Sequence, residues 1–145
     1  MSAPASPLIS AEELRAELGA DCPPTVLDVR WRLDAPDGRA AFEEAHIPGS
    51  VYASLDDVFS EHQGPPAGRH PLPSAQRLAT GLAALGIAGL DEPIVTLDDA
   101  SSWPACRAWW VLRDAGFTNV RVLDGGWSAW VRSGAALEHG PVAER

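Results

Sequence analysis

The sequence predicts an α/β domain, a mainly parallel central sheet with helices on both faces. Three observations carry that reading. Short apolar runs of strand length recur at 25–30, 94–97 and 120–123, and near-continuous runs of this kind mark strands covered on both sides. Segments with helical spacing and helix-start signals alternate with them. A chain of 145 residues, 46% hydrophobic, is also the size of one domain that needs no staple for its core. Residues 8–134 are expected to form that domain, with loosely ordered ends at 1–7 and 135–145.

In chain order, Ser10 and Glu13 read as a capping box ahead of Leu14 and Leu18, so a short helix opens the domain. Pro23 and Pro24 end it, and 25–30 follow as a parallel strand inside the sheet. A helix-compatible stretch, Arg39 to Ala45, leads to the Pro48-Gly49 turn and a short β-like run at 50–52. The segment 63–73 holds too much proline and glycine for regular structure and reads as an ordered crossing loop. Ser74 caps a helix whose Leu78, Leu82 and Leu85 share one face before Gly86 stops it. After the strand at 94–97, Pro104 suits the first turn of a helix running to Gly116. A strand at 120–123 and a last helix carrying Trp127 and Trp130 complete the pattern. No internal repeat is present.

Composition removes several function classes. The net charge is −9 and all 11 basic side chains are arginine, which gives nucleic-acid binding no electrostatic support. Cys22 and Cys106 stand alone, with no metal-ligand spacing to His46, His62, His70 or His139, so neither zinc nor any other cofactor is expected. No signal pattern and no membrane-length apolar run is visible, and a reducing cytoplasm without a Cys22–Cys106 cystine is the expectation.

Ligands of open parallel sheets bind beyond the carboxyl ends of the strands. The loop after Leu97 stands out: Asp98, Asp99, Ala100, Ser101, Ser102 and Trp103 deliver the chain to a helix N-terminus, where free amides and the helix dipole favour an anion. Metal adhesion through Asp-x-Ser-x-Ser fails because Trp103 occupies its last position. Cysteine-dependent phosphatase chemistry fails because Cys106 and Arg107 are adjacent, with no phosphate loop between them.

Val26-Leu-Asp-Val-Arg30, His46-Ile-Pro-Gly-Ser50, Gly68-Arg-His-Pro-Leu-Pro73 and Leu123-Asp-Gly-Gly-Trp127 occur in that order. With them the chain resembles the rhodanese domains over residues 8 to 134. More narrowly, it is similar to the N-terminal half of tandem thiosulfate and 3-mercaptopyruvate sulfurtransferases, a likeness extended by Arg107-Ala-Trp-Trp110. The resemblance implies the same α/β fold. It also implies that active members carry a persulfide on a cysteine directly after the strand at 94–97, the position Asp98 takes here. Sulfur transfer needs a polarisable thiolate that attacks sulfur and is attacked in turn. A carboxylate cannot do this, and Asp98 is expected to fill the amide nest itself.

The remaining candidates each carry two readings. Cys106, early in its helix, is either a thiol activated by the helix N-terminus or a buried structural cysteine. Arg107 either forks an anionic substrate or pairs with a carboxylate or aromatic ring as scaffold. Asp28, Arg30, Glu43 and His46 resemble residues that tie the first strand to its crossing loop. Arg69 and His70 face solvent, an anion or a neighbouring domain, and the resemblance places them near a domain interface. Trp103 caps the core or anchors a partner. The expected function is a binding or partner-completing rhodanese module without its own catalysis, whose partner is a catalytic rhodanese domain or a second copy. The alternative is an active sulfurtransferase using Cys106 or a catalytic partner domain.

Overall fold

The computed structural model describes residues 6–61, 68, 70–99 and 103–142. Among them, in chain order, lie β1 (Leu8–Ile9), α1 (Ala11–Leu18), β2 (Thr25–Asp28), α2 (Arg39–Glu44), β3 (Val51–Tyr52), α3 (Leu55–Val58), α4 (Ala75–Ala84), β4 (Ile94–Leu97), α5 (Trp103–Asp114), β5 (Val120–Leu123) and α6 (Gly126–Arg132). The strands form one sheet in the order β1-β5-β4-β2-β3, every pair parallel. No helix among the described residues is long and apolar enough to cross a membrane.

Strand alternation sorts the core into two layers. Leu27, Val29, Ile94, Val120 and Val122 join the cluster built with α3, α4 and α5, while Val26, Val95, Leu97 and Leu123 join the one built with α1 and α6. β4 is buried at all four positions. Its polar member, Thr96, donates its hydroxyl to the Ala105 carbonyl of α5 at 3.0 Å, which removes the cost of an unpaired buried hydroxyl.

The capping box on α1 forms, with Ser10 accepting from the Glu13 amide and Glu13 reaching back. The run at 25–30 leaves the ladder earlier than expected. Val29 still donates to Leu97, but the Arg30 amide turns back to Asp28 Oδ1. Two elements had no sequence signal long enough to read. β1 adds a two-residue edge strand against β5, and Ser54 caps the single turn of α3. Of the expected crossing loop at 63–73, residues 63–67 and 69 lie outside the described residues. Its two sides meet where the Glu61 amide donates to Pro71 O.

The C-terminal segment differs from the loose tail that was expected. Glu138 and His46 exchange both backbone hydrogen bonds, the Gly140 amide donates to Glu43 O, and Val142 packs against the larger core cluster. Apolar packing and backbone pairing together hold residues 138–142 on the domain.

Candidate functional site

β2 sends the chain outward to β3, whereas its neighbour β4 sends it the other way to β5. The carboxyl ends of β2 and β4 therefore flank the switch point where open sheets bind ligands. Asp98 and Asp99 follow β4 directly, and Trp103 begins α5. Ala100, Ser101 and Ser102 lie outside the described residues, as does Arg69.

Asp98 is 1% exposed. Its Oδ2 accepts the Ala105 amide hydrogen at 3.0 Å, so a residue from the strand end caps the first turn of α5, where unpaired amides concentrate. The loop backbone is held from the other side: Trp127 N donates to Asp98 O at 2.7 Å and Ser128 N to Asp99 O at 3.2 Å. That approach demands glycine at 126. Its φ is +59°, and an added Cβ would lie 2.5 Å from Asp98 O and 2.7 Å from Asp99 O, closer than any side chain tolerates.

Across the switch point, Arg30 and Asp28 are both buried. The guanidinium meets the Asp28 carboxylate at 2.9–3.1 Å, donates to Ala45 O at 2.7 Å and lies 4.6 Å from the Trp127 ring centre. Arg30 thus ties β2 to the end of α2 and to α6. Burial pushes the Asp28 carboxyl up, against the pull of Arg30 and with a smaller push from Asp99. Beside this pair opens a cleft of about 410 Å³ whose walls include Trp31, Asp37, Gly38, Glu44 and Asp99. His46 is wholly buried, stacked on Phe42, with Glu138 on its outer nitrogen.

The buried reading of Cys106 is corrected. The residue is exposed on α5 rather than buried, and its thiol is pushed up, first by partial desolvation and then by the Asp98 charge. Arg107 makes contacts other than the expected ones. Among the described residues it meets neither carboxylate nor ring but two backbone carbonyls, Phe59 O through Nε and Nη2 at 3.3 and 3.2 Å, and His70 O through Nη2 at 2.5 Å. Burial pulls its guanidinium below the usual value.

His70 is held on three sides. Its carbonyl takes Arg107, its Nδ1 lies 3.3 Å from Asp56 Oδ1, and its ring meets Trp31 and Trp103 at 5.3 and 5.5 Å. Trp31 and Trp103 meet edge-on at 4.9 Å, distances at which the three rings fill one another's space. Among the described residues His70 is the non-glycine position with positive φ, +49°, a strain that the surrounding contacts must hold. Trp103 nonetheless stays 42% exposed and Trp110 47%, and with Cys106 between them at three- and four-residue spacings they make one outward face of α5. Trp31 and Asp56 went unread in the sequence. The rule that strand-end loops carry sites pointed to Trp31, and nothing pointed to Asp56.

A family model described as the rhodanese-like domain matches residues 10–133. The chain belongs to the rhodanese-like domain family. It is 47% identical over 99% of its length to "Putative thiosulfate sulfurtransferase SseB" of Mycobacterium tuberculosis, covering 50% of that protein. It is 38% identical over 95% of its length to "Probable 3-mercaptopyruvate sulfurtransferase" of Pseudomonas aeruginosa, covering 49% of it. The chain thus spans about half the length of these curated relatives. In structure it matches SseA from Escherichia coli with a TM-score of 0.81 at 29% identity, over 95% of this chain and 53% of that one. It matches 3-mercaptopyruvate sulfurtransferase from Leishmania major with 0.83 at 26% identity, over 97% and 39%.

Proposed function

We propose that this rhodanese-like chain carries no sulfur itself and acts as a binding module that completes a catalytic rhodanese-like half. One observation carries the reading: the residue directly after β4 is Asp98, and its carboxylate occupies the amide end of α5. In an active rhodanese this place belongs to the thiolate that takes up sulfur. A carboxylate there supplies charge that repels thiosulfate, and no atom that can hold a persulfide.

Two features support a partner role. The relatives are about twice as long as the matched region, so a second half stands beside this one in them. The outward face of α5, Trp103 to Trp110, sits next to the His70–Asp56 pair, and exposed tryptophans are frequent anchors of interfaces. The partner half would supply the sulfur-carrying cysteine, and this chain the surface that orients it, with thiosulfate or 3-mercaptopyruvate as donor. A second copy of this chain is the competing occupant of that face.

The exposed thiol of Cys106 favours one alternative, a sulfurtransferase that uses it. Turnover of the purified chain separates the readings, with thiosulfate and cyanide, and with 3-mercaptopyruvate and a thiol acceptor. The module reading expects no turnover. Robust turnover abolished by Cys106→Ala would establish the alternative. Asp98→Cys is the companion variant, and persulfide formation on it would show that the loop still fits sulfur.

A further inference from the structure

The amino ends of the strands, opposite the switch point, carry a cleft of about 450 Å³, a size typical of small-molecule sites. Leu18 at the end of α1, Trp130 of α6 and Ala136 beyond it line this cleft, together with Pro23 and Pro24, which lead into β2, and Pro48, which leads toward β3. These walls are set before any ligand arrives. Proline rings have a fixed φ and no N–H to satisfy. Ser133 Oγ holds the turn after α6, donating to Trp130 O at 2.6 Å and accepting the Ala135 amide hydrogen at 3.3 Å. Trp130 Nε1 donates to Ala136 O at 3.0 Å, so the indole adds apolar surface rather than a donor to the cleft.

Arg15 is the one charged residue on the lining. It is exposed in the last turn of α1, and among the described residues no carboxylate comes within ion-pairing distance of it. By contrast, Arg30, Arg32 and Arg121 meet carboxylates, and Arg77, Arg107 and Arg113 donate to backbone carbonyls. We propose that this cleft binds a small monocarboxylate, its compact apolar body against Leu18, Trp130 and the prolines and its carboxylate on Arg15. A neutral apolar ligand would leave the guanidinium unused. A dianion such as phosphate would find one cation and no second to balance it. A single carboxylate joined to an apolar body matches both parts, through forked hydrogen bonds from the guanidinium and burial of apolar surface. The site lies at the other end of the sheet from Asp98 and does not depend on the module reading.

The test is an NMR titration of the full chain with benzoate as probe and benzamide as its neutral counterpart. The readouts are the Trp130 indole and the Leu18, Gly19 and Ala136 amides, with the Arg30 and Asp98 amides as reference. Benzoate is expected to give saturable shifts at the first set alone and to bind about tenfold more tightly than benzamide, the scale of one charge-assisted hydrogen bond. The net charge of −9 works against that order, so the preference must come from a local cation. Arg15→Gln, at an exposed position, should reduce benzoate to the affinity of benzamide and leave benzamide unchanged. Ala136→Leu, whose larger side chain enters the cleft from an exposed position, should weaken both. Benzoate shifts that never saturate or that centre on Arg30 and Asp98, equal affinity for the two probes, an Arg15→Gln variant that keeps the preference, or unaltered binding in Ala136→Leu overturns the proposal.

Discussion

The carboxylate of Asp98 accepts the amide hydrogen of Ala105 at 3.0 Å, joining the end of β4 to the start of α5 across seven residues. In this arrangement the loop supplies its own anion to the helix. Asp98→Ala is expected to cost about 1–2 kcal/mol, the usual worth of a helix cap whose loss also strands a buried amide. Asp98→Asn, which keeps an acceptor oxygen, should cost less. Urea denaturation of the two variants measures the difference, and equal losses would mean that the cap contributes nothing.

The same carboxylate adds to the effect of burial on Cys106. Desolvation and the Asp98 charge both push the thiol up, so at neutral pH it holds less thiolate than an ordinary cysteine and should alkylate more slowly. Its rate should keep climbing with pH beyond the point where a free thiol levels off. Asp98→Asn should speed the reaction at neutral pH by removing the charge. An alkylation rate indifferent to that substitution would remove Asp98 from the account of this thiol.

Gly126 and Gly49 separate steric contact from backbone conformation. Both have positive φ, but nothing lies within 4 Å of an added Cβ at Gly49, whereas at Gly126 it would strike the Asp98 and Asp99 carbonyls. Gly49→Ala should cost about 1–2 kcal/mol for its left-handed backbone alone. Gly126→Ala should exceed that by a further 1–3 kcal/mol or so from the clash. Similar losses at the two positions would mean that the loop yields freely to α6.

Trp103 tests the partner face. If α5 docks a catalytic rhodanese-like half, Trp103→Ala should weaken capture of an isolated half of that kind by about thirtyfold, the scale of an anchor worth about 2 kcal/mol. Stability should change less than binding, because nearly half of the ring is exposed. Unchanged capture, measured by titration calorimetry, would take the face out of the interface.

The strands and long helices were legible because β4 and β5 are mostly apolar, interrupted by Thr96 and Arg121 alone, and because Ser10, Ser74 and Pro104 announce helix starts locally. β1 was not, since two residues carry no period. The order of the candidate site in the chain was also readable: Asp98 lies where a parallel strand hands over to a helix. What stayed hidden depends on distant contacts. His46 meets Glu138 across 92 residues, so the tail looked loose. Arg107 chose two backbone carbonyls, which look the same in any sequence. Whether Cys106 was buried depended on which side of α5 the sheet covers, and the proximity of Trp31, His70 and Trp103 on which loops share one end of it.

The most direct test of the central claim is the intact mass of the reduced chain after incubation with thiosulfate, and separately with 3-mercaptopyruvate. A module that carries no sulfur should keep its mass under both donors, while Asp98→Cys is the variant in which a gain of one sulfur atom is sought. Addition of one sulfur atom to the wild-type chain, lost in Cys106→Ala, would contradict the account.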